Sequence, residues 1–363
     1  ALGKRFYVGA LRNKENYMTQ FASVMATEDL TKVTFKLKNN VSTLNGQSGV
    51  FEVILNSGDS YLIASRSGSG IGFSTEDGLI GTLIESDKSI VVNTGSGTGS
   101  NALNNGGHDY GMDQIVGADL VGSEYIFIKG DGEPDWEKAL VIANQDNTQL
   151  QVNGSDYGSP LQEGEFLFIS EYTPNNNMYI RTKDPSHKLF AYQSLGRIWT
   201  ESQFQNSRAA NQGMFFVPPL NCSNRGDVDN IAKIDDVANK SYTGAVTFIT
   251  KKNAEIFING QSISDVQNSN GPFNVTGKDD YVTYRVDNLT GDISVTGNDE
   301  LYVAYFNYNG AATTGGFYSG FSRPPKIDFD INLETLGSCI KKDGESNITL
   351  KASDVSNFTS IIW

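Results

Sequence analysis

Residues 281–286 read Tyr-Val-Thr-Tyr-Arg-Val, and this stretch decides the fold class. Aromatic and β-branched residues fit the pleated surface of a strand better than the side of a helix. Successive side chains of a strand point to opposite faces, so residues 282, 284 and 286 share one face. The stretch therefore predicts a β-strand with one face turned inward and one turned toward water.

The same pattern of short apolar runs occurs along the chain on both sides of this strand. Apolar runs of four to eight residues, bounded by Gly, Asn, Asp and Ser, occur at residues 32–37, 165–169 and 255–258. The last run is followed by Asn259-Gly260, a pair typical of a tight hairpin turn. Helical periodicity is almost absent, so the sequence predicts an all-β protein.

Three kinds of segment recur in the same order. A Gly followed by an aromatic-rich strand begins at Gly3, Gly122 and Gly213. Two strands joined by a polar turn, interpreted as a β-hairpin, follow at residues 24–31, 141–148 and 247–254. A charged turn leading into a buried strand completes the set at residues 86–92, 184–192 and 298–305.

This order predicts three diverged tandem β-sandwich-like repeat units packed in one pseudo-threefold head. The predicted units are residues 1–115, 116–205 and 206–325. The sequence pattern changes after Pro324-Pro325. Residues 326–363 are interpreted as a linker and a truncated Ig-like domain that continues beyond Trp363. A start at Ala1 fits either a mature exported form or a chosen boundary.

Charge and composition narrow the classes of partner. The chain has 28 Lys and Arg against 42 Asp and Glu, a net charge of −14, which repels nucleic acid. No apolar run approaches the length of a membrane helix, so membrane insertion is not expected. Cys222 and Cys339 form either one long-range disulfide or two separate thiols, and the sequence leaves both options open.

Catalytic motifs are missing from the sequence. His108 and His187 are the two histidines, too few for a three-histidine zinc site, and no nucleophile elbow or phosphate-binding loop occurs. The sequence therefore predicts no catalytic residues and no enzyme. A carbohydrate-active enzyme with paired carboxylates stays open as an alternative, because its pair is defined by separation in space.

The sequence establishes no cofactor, and calcium is the more plausible ion. Hard oxygen ligands cluster in two turns, at Asp131 and Asp135 and at Asp227 and Asp229, although neither turn has the full EF-hand spacing. These four residues are the predicted metal ligands.

The predicted ligand-binding residues are loop aromatics. They are Tyr110, Trp136, Phe317 and Tyr318, of which Trp136 and Tyr318 could equally be packing residues. Polar loops at residues 93–107 and 200–212 interrupt the units, and such loops often carry binding functions. A local function is expected where the units differ, at residues 93–112 and 221–230.

Several motifs resemble the IgGFc-binding-protein N-terminal-domain family. They lie at residues 211–222, 229–231, 301–308 and 315–321, and the resemblance extends over Gly3 to Pro325. Bacterial members occur in large surface adhesins of Bacteroidetes, including proteins linked to gliding motility and type IX secretion. The resemblance supplies no catalytic residues, and the family name does not imply that this chain binds antibody.

The resemblance implies a non-catalytic, extracellular adhesin segment at the cell surface. Its expected partners are an external surface, glycan or protein ligand and the rest of a large modular surface protein. A second alternative, beside the carbohydrate-active enzyme, is a passive structural spacer of such a protein.

Overall fold

The computed structural model describes residues 2–68, 73–101, 109–132, 136–196, 198–200, 207–209, 213–220, 228–310, 312–317, 327–331 and 348–352. The chain divides into two compact units, Ala1–Phe321 and Ser322–Trp363. Strands dominate the described residues of both units, and the one helical element among them is a short 3₁₀ turn, Ile263–Asp265. The prediction of an all-β fold is confirmed.

The strands of the larger unit fall into three consecutive blocks. The first block (residues 3–115) contains β1 (Gly3–Tyr7), β2 (Thr19–Ala26), β3 (Thr31–Lys36), β4 (Val50–Leu55), β5 (Ser60–Ser67), β6 (Phe73–Ser74), β7 (Leu83–Gly99) and β8 (Asp109–Ile115). The second block (residues 124–216) contains β9 (Glu124–Ile128), β10 (Ala139–Ala143), β11 (Thr148–Val152), β12 (Ser155–Leu161), β13 (Phe166–Ile169), β14 (Asn177–Thr182), β15 (Leu189–Leu195), β16 (Ile198–Thr200), β17 (Ser207–Ala209) and β18 (Gly213–Phe216).

The third block (residues 228–317) contains β19 (Val228–Ile231), β20 (Asp236–Val237), β21 (Lys240–Ser241), β22 (Thr243–Lys251), β23 (Ile256–Ile258), β24 (Gln261–Ser262), β25 (Ser269–Asn274), β26 (Tyr281–Asp287), β27 (Ile293–Gly297), β28 (Leu301–Asn309) and β29 (Ala312–Phe317). The smaller unit contains β30 (Ile327–Ile331) and β31 (Ile348–Ala352), which pair antiparallel over five positions. The Ig-like assignment of this unit stays a prediction.

One pairing order occurs in all three blocks. One layer runs β12-β11-β14-β9 in the second block and β24-β23-β27-β19 in the third. The other layer runs β13-β10-β15-β18 in the second block and β26-β22-β28-β29 in the third, where β25 extends its edge. In the first block the long strand β7 takes part in both layers, because its beginning pairs with β1 and β3 and its end with β2 and β8.

The two layers of a block face each other across a shared core. In the second block, Tyr125 and Met178 come from one layer and Val141 and Ala191 from the other, and all four belong to one apolar cluster. Period-two alternation places such residues on one face of each strand. Each block is therefore a β-sandwich, although the origin of the three blocks as tandem repeats and their pseudo-threefold symmetry stay predictions.

The second block packs against both of its neighbours. Leu140, Ile142 and Tyr192 point away from their own sandwich and join the core of the first block. Ile126 and Tyr179, in the other layer, pack with side chains of the third block such as Tyr302. The layer that contains β10 and β15 is thus covered on both faces, which explains why these two strands are buried along their whole length.

Several sequence interpretations were wrong. Residues 93–99, interpreted as the beginning of a polar loop, belong to β7 and pair with β2 and β8. In none of the three segments predicted as hairpins do the two consecutive strands pair with each other. β2 and β3 each pair with β7 instead. β10 and β11 lie in different sheets, as do β22 and β23. The polar turns carry the chain from one layer of a sandwich to the other, and a turn motif does not distinguish this from a hairpin.

The Gly-aromatic strand at Gly213 was also misplaced. It pairs with β15 and closes a layer of the second block, whereas the sequence assigned it to a unit beginning at residue 206. Strand propensity identifies a strand but not its partner. The unit boundaries themselves stay a prediction.

Candidate ligand-binding groove

A polar groove lies on the surface where the second and third blocks meet. Its main part has a volume of about 560 Å³, and an adjoining part has about 310 Å³. The side chains along it are mostly acidic, basic and amide groups with a few aromatic rings: Lys129, Asp131, Asn175, Asn176, Asn268, Asn270, Phe273, Tyr284, Arg285, Asp287, Asn288 and Tyr308. We refer to this feature as the junction groove.

Arg285 is the centre of the junction groove. It lies on β26 of the third block, and its Nη2 donates to Asp131 Oδ2 of the second block at 2.8 Å. Its Nε donates to Asp287 Oδ1, also at 2.8 Å. Burial lowers the pKa of Arg285, but the hydrogen bond to Asp131 and the charges of both carboxylates outweigh it, so the pKa is raised. The groove thus contains a permanent cation between two carboxylates.

A buried carboxyl group supports the loop that carries Asp131. Glu137 Oε1 accepts from the backbone N–H of Gly132 at 2.7 Å and from that of Gly196 at 3.1 Å. A Cβ on Gly130 or Gly132 would lie within 2.9 Å of the same oxygen, so the loop needs glycine at both positions. Glu137 therefore holds the backbone on either side of Asp131.

Glu137 is also electrostatically unusual. Its side chain is fully buried, and burial raises its pKa to about 7, although the charge of Lys129 and the backbone N–H groups act in the opposite direction. Lys129 Nζ lies 3.8 Å from Glu137 Oε2 and the Lys129 side chain also lines the junction groove. A change in the charge of Glu137 therefore acts on Lys129, a residue that lines the groove.

Asparagine residues form the rim and join the two blocks. Asn175 Nδ2 and Asn177 Nδ2 donate to the carbonyl oxygen of Asn274 at 2.9 and 3.1 Å, across the junction. Asn268 and Asn288 have φ values of 62° and 59°, in the left-handed region that asparagine tolerates. The rim is thus a set of tight turns that present amide groups to the groove.

The junction groove offers hydrogen-bond donors and acceptors beside aromatic rings. The guanidinium donates, the carboxylates accept, and the amides do both. Tyr284 and Tyr308 contribute partly buried rings at its sides. Such a combination can hydrogen-bond a polar ligand and also contact its apolar surface.

The predicted metal ligands are not gathered in one described place. Asp131 lies in the junction groove and is paired with Arg285. Asp229 lies on β19 with its side chain outside the described part, and Asp135 and Asp227 lie outside the described residues. Within the described residues no group of three or more His, Cys, Asp or Glu could hold a metal ion. Calcium binding stays a prediction.

The predicted ligand-binding aromatics that the structure describes lie on different elements of the chain. Tyr110 lies on β8 of the first block, is 54% exposed and stacks on Phe21 with a ring-centroid distance of 6.3 Å. Trp136 is half-buried in the segment that follows Asp131, and its carbonyl oxygen accepts from Ser194 Oγ at 2.6 Å. These two residues stay predictions as ligand contacts.

Phe317 packs edge-on against Phe215, with ring centroids 5.5 Å apart, beside the core of the second block. This contact shows a packing role, and ligand contact by Phe317 stays a prediction. Tyr318, Cys222, Cys339 and His108 lie outside the described residues.

Sequence reasoning missed Arg285, Asp287 and the asparagine rim. One signal was present: Arg285 and Asp287 are two positions apart on a predicted strand, so they share a face. An adjacent Arg and Asp on one strand face indicate an ion pair and a polar surface. The pairing of Arg285 with Asp131, 154 positions earlier, required the structure.

Comparison with known proteins identifies the family of the chain. A family model described as IgGFc binding protein matches residues 1–307 of the chain. The chain belongs to the IgGFc binding protein family. All the groove residues named above except Tyr308 lie within the match, and the family resemblance seen in the sequence is confirmed. No curated protein matches the chain.

Within the described residues, no helix is long and apolar enough to cross a membrane. Membership of the IgGFc binding protein family supports a ligand-binding domain that works outside the cell. The Bacteroidetes context stays a prediction.

Proposed function

We propose that the chain is a non-catalytic extracellular adhesin module that binds a glycan in the junction groove. Arg285, held between Asp131 and Asp287 on the floor of this groove, is the observation that carries the proposal. Sugar hydroxyl groups both donate and accept hydrogen bonds, so they match the mixed set of guanidinium, carboxylate and amide groups. The rings of Tyr284 and Tyr308 supply apolar surface for the C–H faces of sugar rings.

A neutral glycan fits better than an acidic one. The cations Arg285 and Lys129 balance the carboxylates Asp131 and Asp287 within the groove, so it has no excess positive charge to attract an anion. The chain as a whole carries −14 and repels polyanions. We therefore infer that the ligand is an uncharged oligosaccharide or polysaccharide.

Binding without turnover is favoured over hydrolysis. A glycosidase needs one carboxyl group to donate a proton and a second to attack or to activate water. Asp131 and Asp287 are instead both engaged by the same guanidinium. The carbohydrate-active enzyme remains the alternative, and a role in gliding motility stays a prediction.

The test is a screen of neutral glycans followed by titration calorimetry. We expect Arg285→Lys, which removes the two-pronged hydrogen bonding, and Asn270→Ala to weaken binding about tenfold or more. Arg66→Lys is the matched control, because Arg66 is exposed on the first block. Thermal unfolding of each variant checks that the fold is intact.

Two results would contradict the proposal. Release of reducing sugar from any bound polysaccharide would indicate the enzyme. Failure of every glycan to bind, together with unchanged surface attachment when the segment is deleted from its parent protein, would indicate the passive spacer.

A further inference from the structure

Strand β4 ends a sheet of the first block with its outer edge unpaired among the described strands. It pairs with β3 at six successive positions, from Thr31↔Leu55 to Lys36↔Val50, without a bulge. The bond from Leu37 N to Gly49 O fixes the phase of the ladder. By alternation, Phe51, Val53 and Leu55 bond to β3, and the backbone groups of Val50, Glu52 and Ile54 point away from the sheet.

The same three residues carry exposed side chains. Val50 is 66% exposed and Ile54 is 67% exposed, and Glu52 lies between them. A regular edge strand with exposed apolar side chains is a template for pairing with another strand. Natural proteins usually defend such an edge with a bulge, a proline, a charge or a very short strand.

The equivalent strands of the other two blocks have a proline, an irregularity or a short length, whereas β4 has a charge, Glu52, that is paired with Lys32. β12 of the second block contains Pro160, which has no N–H, and its ladder is interrupted by an irregularity between Thr148 and Leu150 of β11. β24 of the third block has two residues. Of the three equivalent edges that the structure describes, β4 alone is both long and regular.

We propose that β4 is an interface between two copies of this chain, which pair antiparallel through β4 about a two-fold axis at Glu52. This register places Val50 opposite Ile54 of the second copy, and Ile54 opposite Val50. Residues whose backbone groups point outward then face each other at all three positions, and each such pair exchanges two hydrogen bonds. The apolar side chains are covered by each other on the same face.

Charge at the interface supports a second copy as the partner. The axis places the two Glu52 side chains together, but each is paired with Lys32 of its own chain at 3.0 Å. The interface therefore contains two cations and two anions, in a chain that is otherwise strongly acidic. The two Lys32 side chains therefore offset the repulsion between the two acidic copies at the place where they meet.

The first experiment is sedimentation equilibrium of the full chain. The contact is small, so we expect a dimer with a Kd on the order of 10⁻⁵ to 10⁻⁴ M. Ile54→Lys should weaken self-association at least about tenfold, since a charged side chain would replace the apolar contact of Ile54 with Val50 of the second copy. Leu62→Lys is the matched control, because Leu62 is 53% exposed on β5, away from the β4 edge.

The second experiment tests the register. Residues that face each other as a hydrogen-bonded pair have Cα atoms about 5.5 Å apart, a distance that a disulfide can span. In a chain with Cys222 and Cys339 replaced by serine, Glu52→Cys should give a disulfide-linked dimer on mild oxidation. Leu62→Cys should not.

Three outcomes would overturn the proposal. They are a monomer at all concentrations up to about 1 mM, dimerisation that Ile54→Lys leaves unchanged, and a monomer that instead binds an unrelated extended peptide along β4. The last outcome would assign the edge to a different partner chain. None of these results depends on whether the junction groove binds a glycan.

Discussion

The raised pKa of the buried Glu137 carboxyl group makes the stability of the molecule depend on pH. Its pKa is about 7 in the folded chain, above the ordinary value of 4.5, because burial disfavours the charged form. Between these values the folded chain keeps the proton and the unfolded chain loses it. A raised carboxyl pKa therefore lowers stability as the pH rises from about 4.5 to about 7.

We expect wild-type stability to fall by up to about 3 kcal/mol over this pH range because of Glu137. Glu137→Gln keeps an oxygen for the N–H groups of Gly132 and Gly196 but cannot ionise, so its stability should depend less on pH. Urea unfolding at pH 5 and pH 8 measures the difference. Glu28→Gln, at an exposed position, is the control, and an equal pH dependence in Glu137→Gln and wild type would refute the assignment.

The glycines around Asp131 are expected to matter for the ligand as well as for the fold. Gly132→Ala would place a Cβ 2.9 Å from Glu137 Oε1 and equally close to the backbone of Gly196. We expect a loss of about 1–3 kcal/mol in stability and weaker glycan binding, because the loop carrying Asp131 must move. Gly291→Ala, where a Cβ meets no atom within 4 Å but φ is 72°, reports the cost of backbone strain alone.

At the scale of the strand, β10 and β4 differ in how far their side chains are buried. Ile142 on β10 is fully buried and contacts the core of the first block, whereas Ile54 on β4 is largely exposed. Ile142→Ala should cost about 2–5 kcal/mol in unfolding free energy, and Ile54→Ala should stay within about 0.5 kcal/mol in dilute solution. Denaturant unfolding of both variants checks this. Equal losses would mean that the first and second blocks do not share a core.

The sequence predicted which segments are strands because that depends on local alternation and turn residues. It could not predict pairing, because β10 and β11 have strand propensity whether they form a hairpin or lie in opposite layers. It predicted Asp131 as a metal ligand on the basis of nearby acidic residues, and that role stays a prediction. It missed Arg285, because the two residues meet only after two blocks have folded and packed.

For the whole molecule, shared cores predict cooperative folding. The core of the first block includes Leu140, Phe190 and Phe216 from the second, so residues 1–115 alone would expose that apolar face. We expect a fragment of residues 1–115 to bind a hydrophobic dye and to unfold without a sharp transition. A fragment of residues 1–220 should unfold cooperatively. Circular dichroism during heating distinguishes the two, and a stable 1–115 fragment would count against a shared core.

The contact between Asp131 and Arg285 has a mechanical consequence. The two residues belong to different blocks, so any force that separates these blocks must break this ion pair together with the apolar packing that the blocks share. A bound ligand that touches both sides resists that separation, since it adds its own contacts across the junction. If the groove binds its ligand as proposed, we expect the force needed to separate the two blocks to rise when the ligand is present, which single-molecule pulling with and without the glycan would measure.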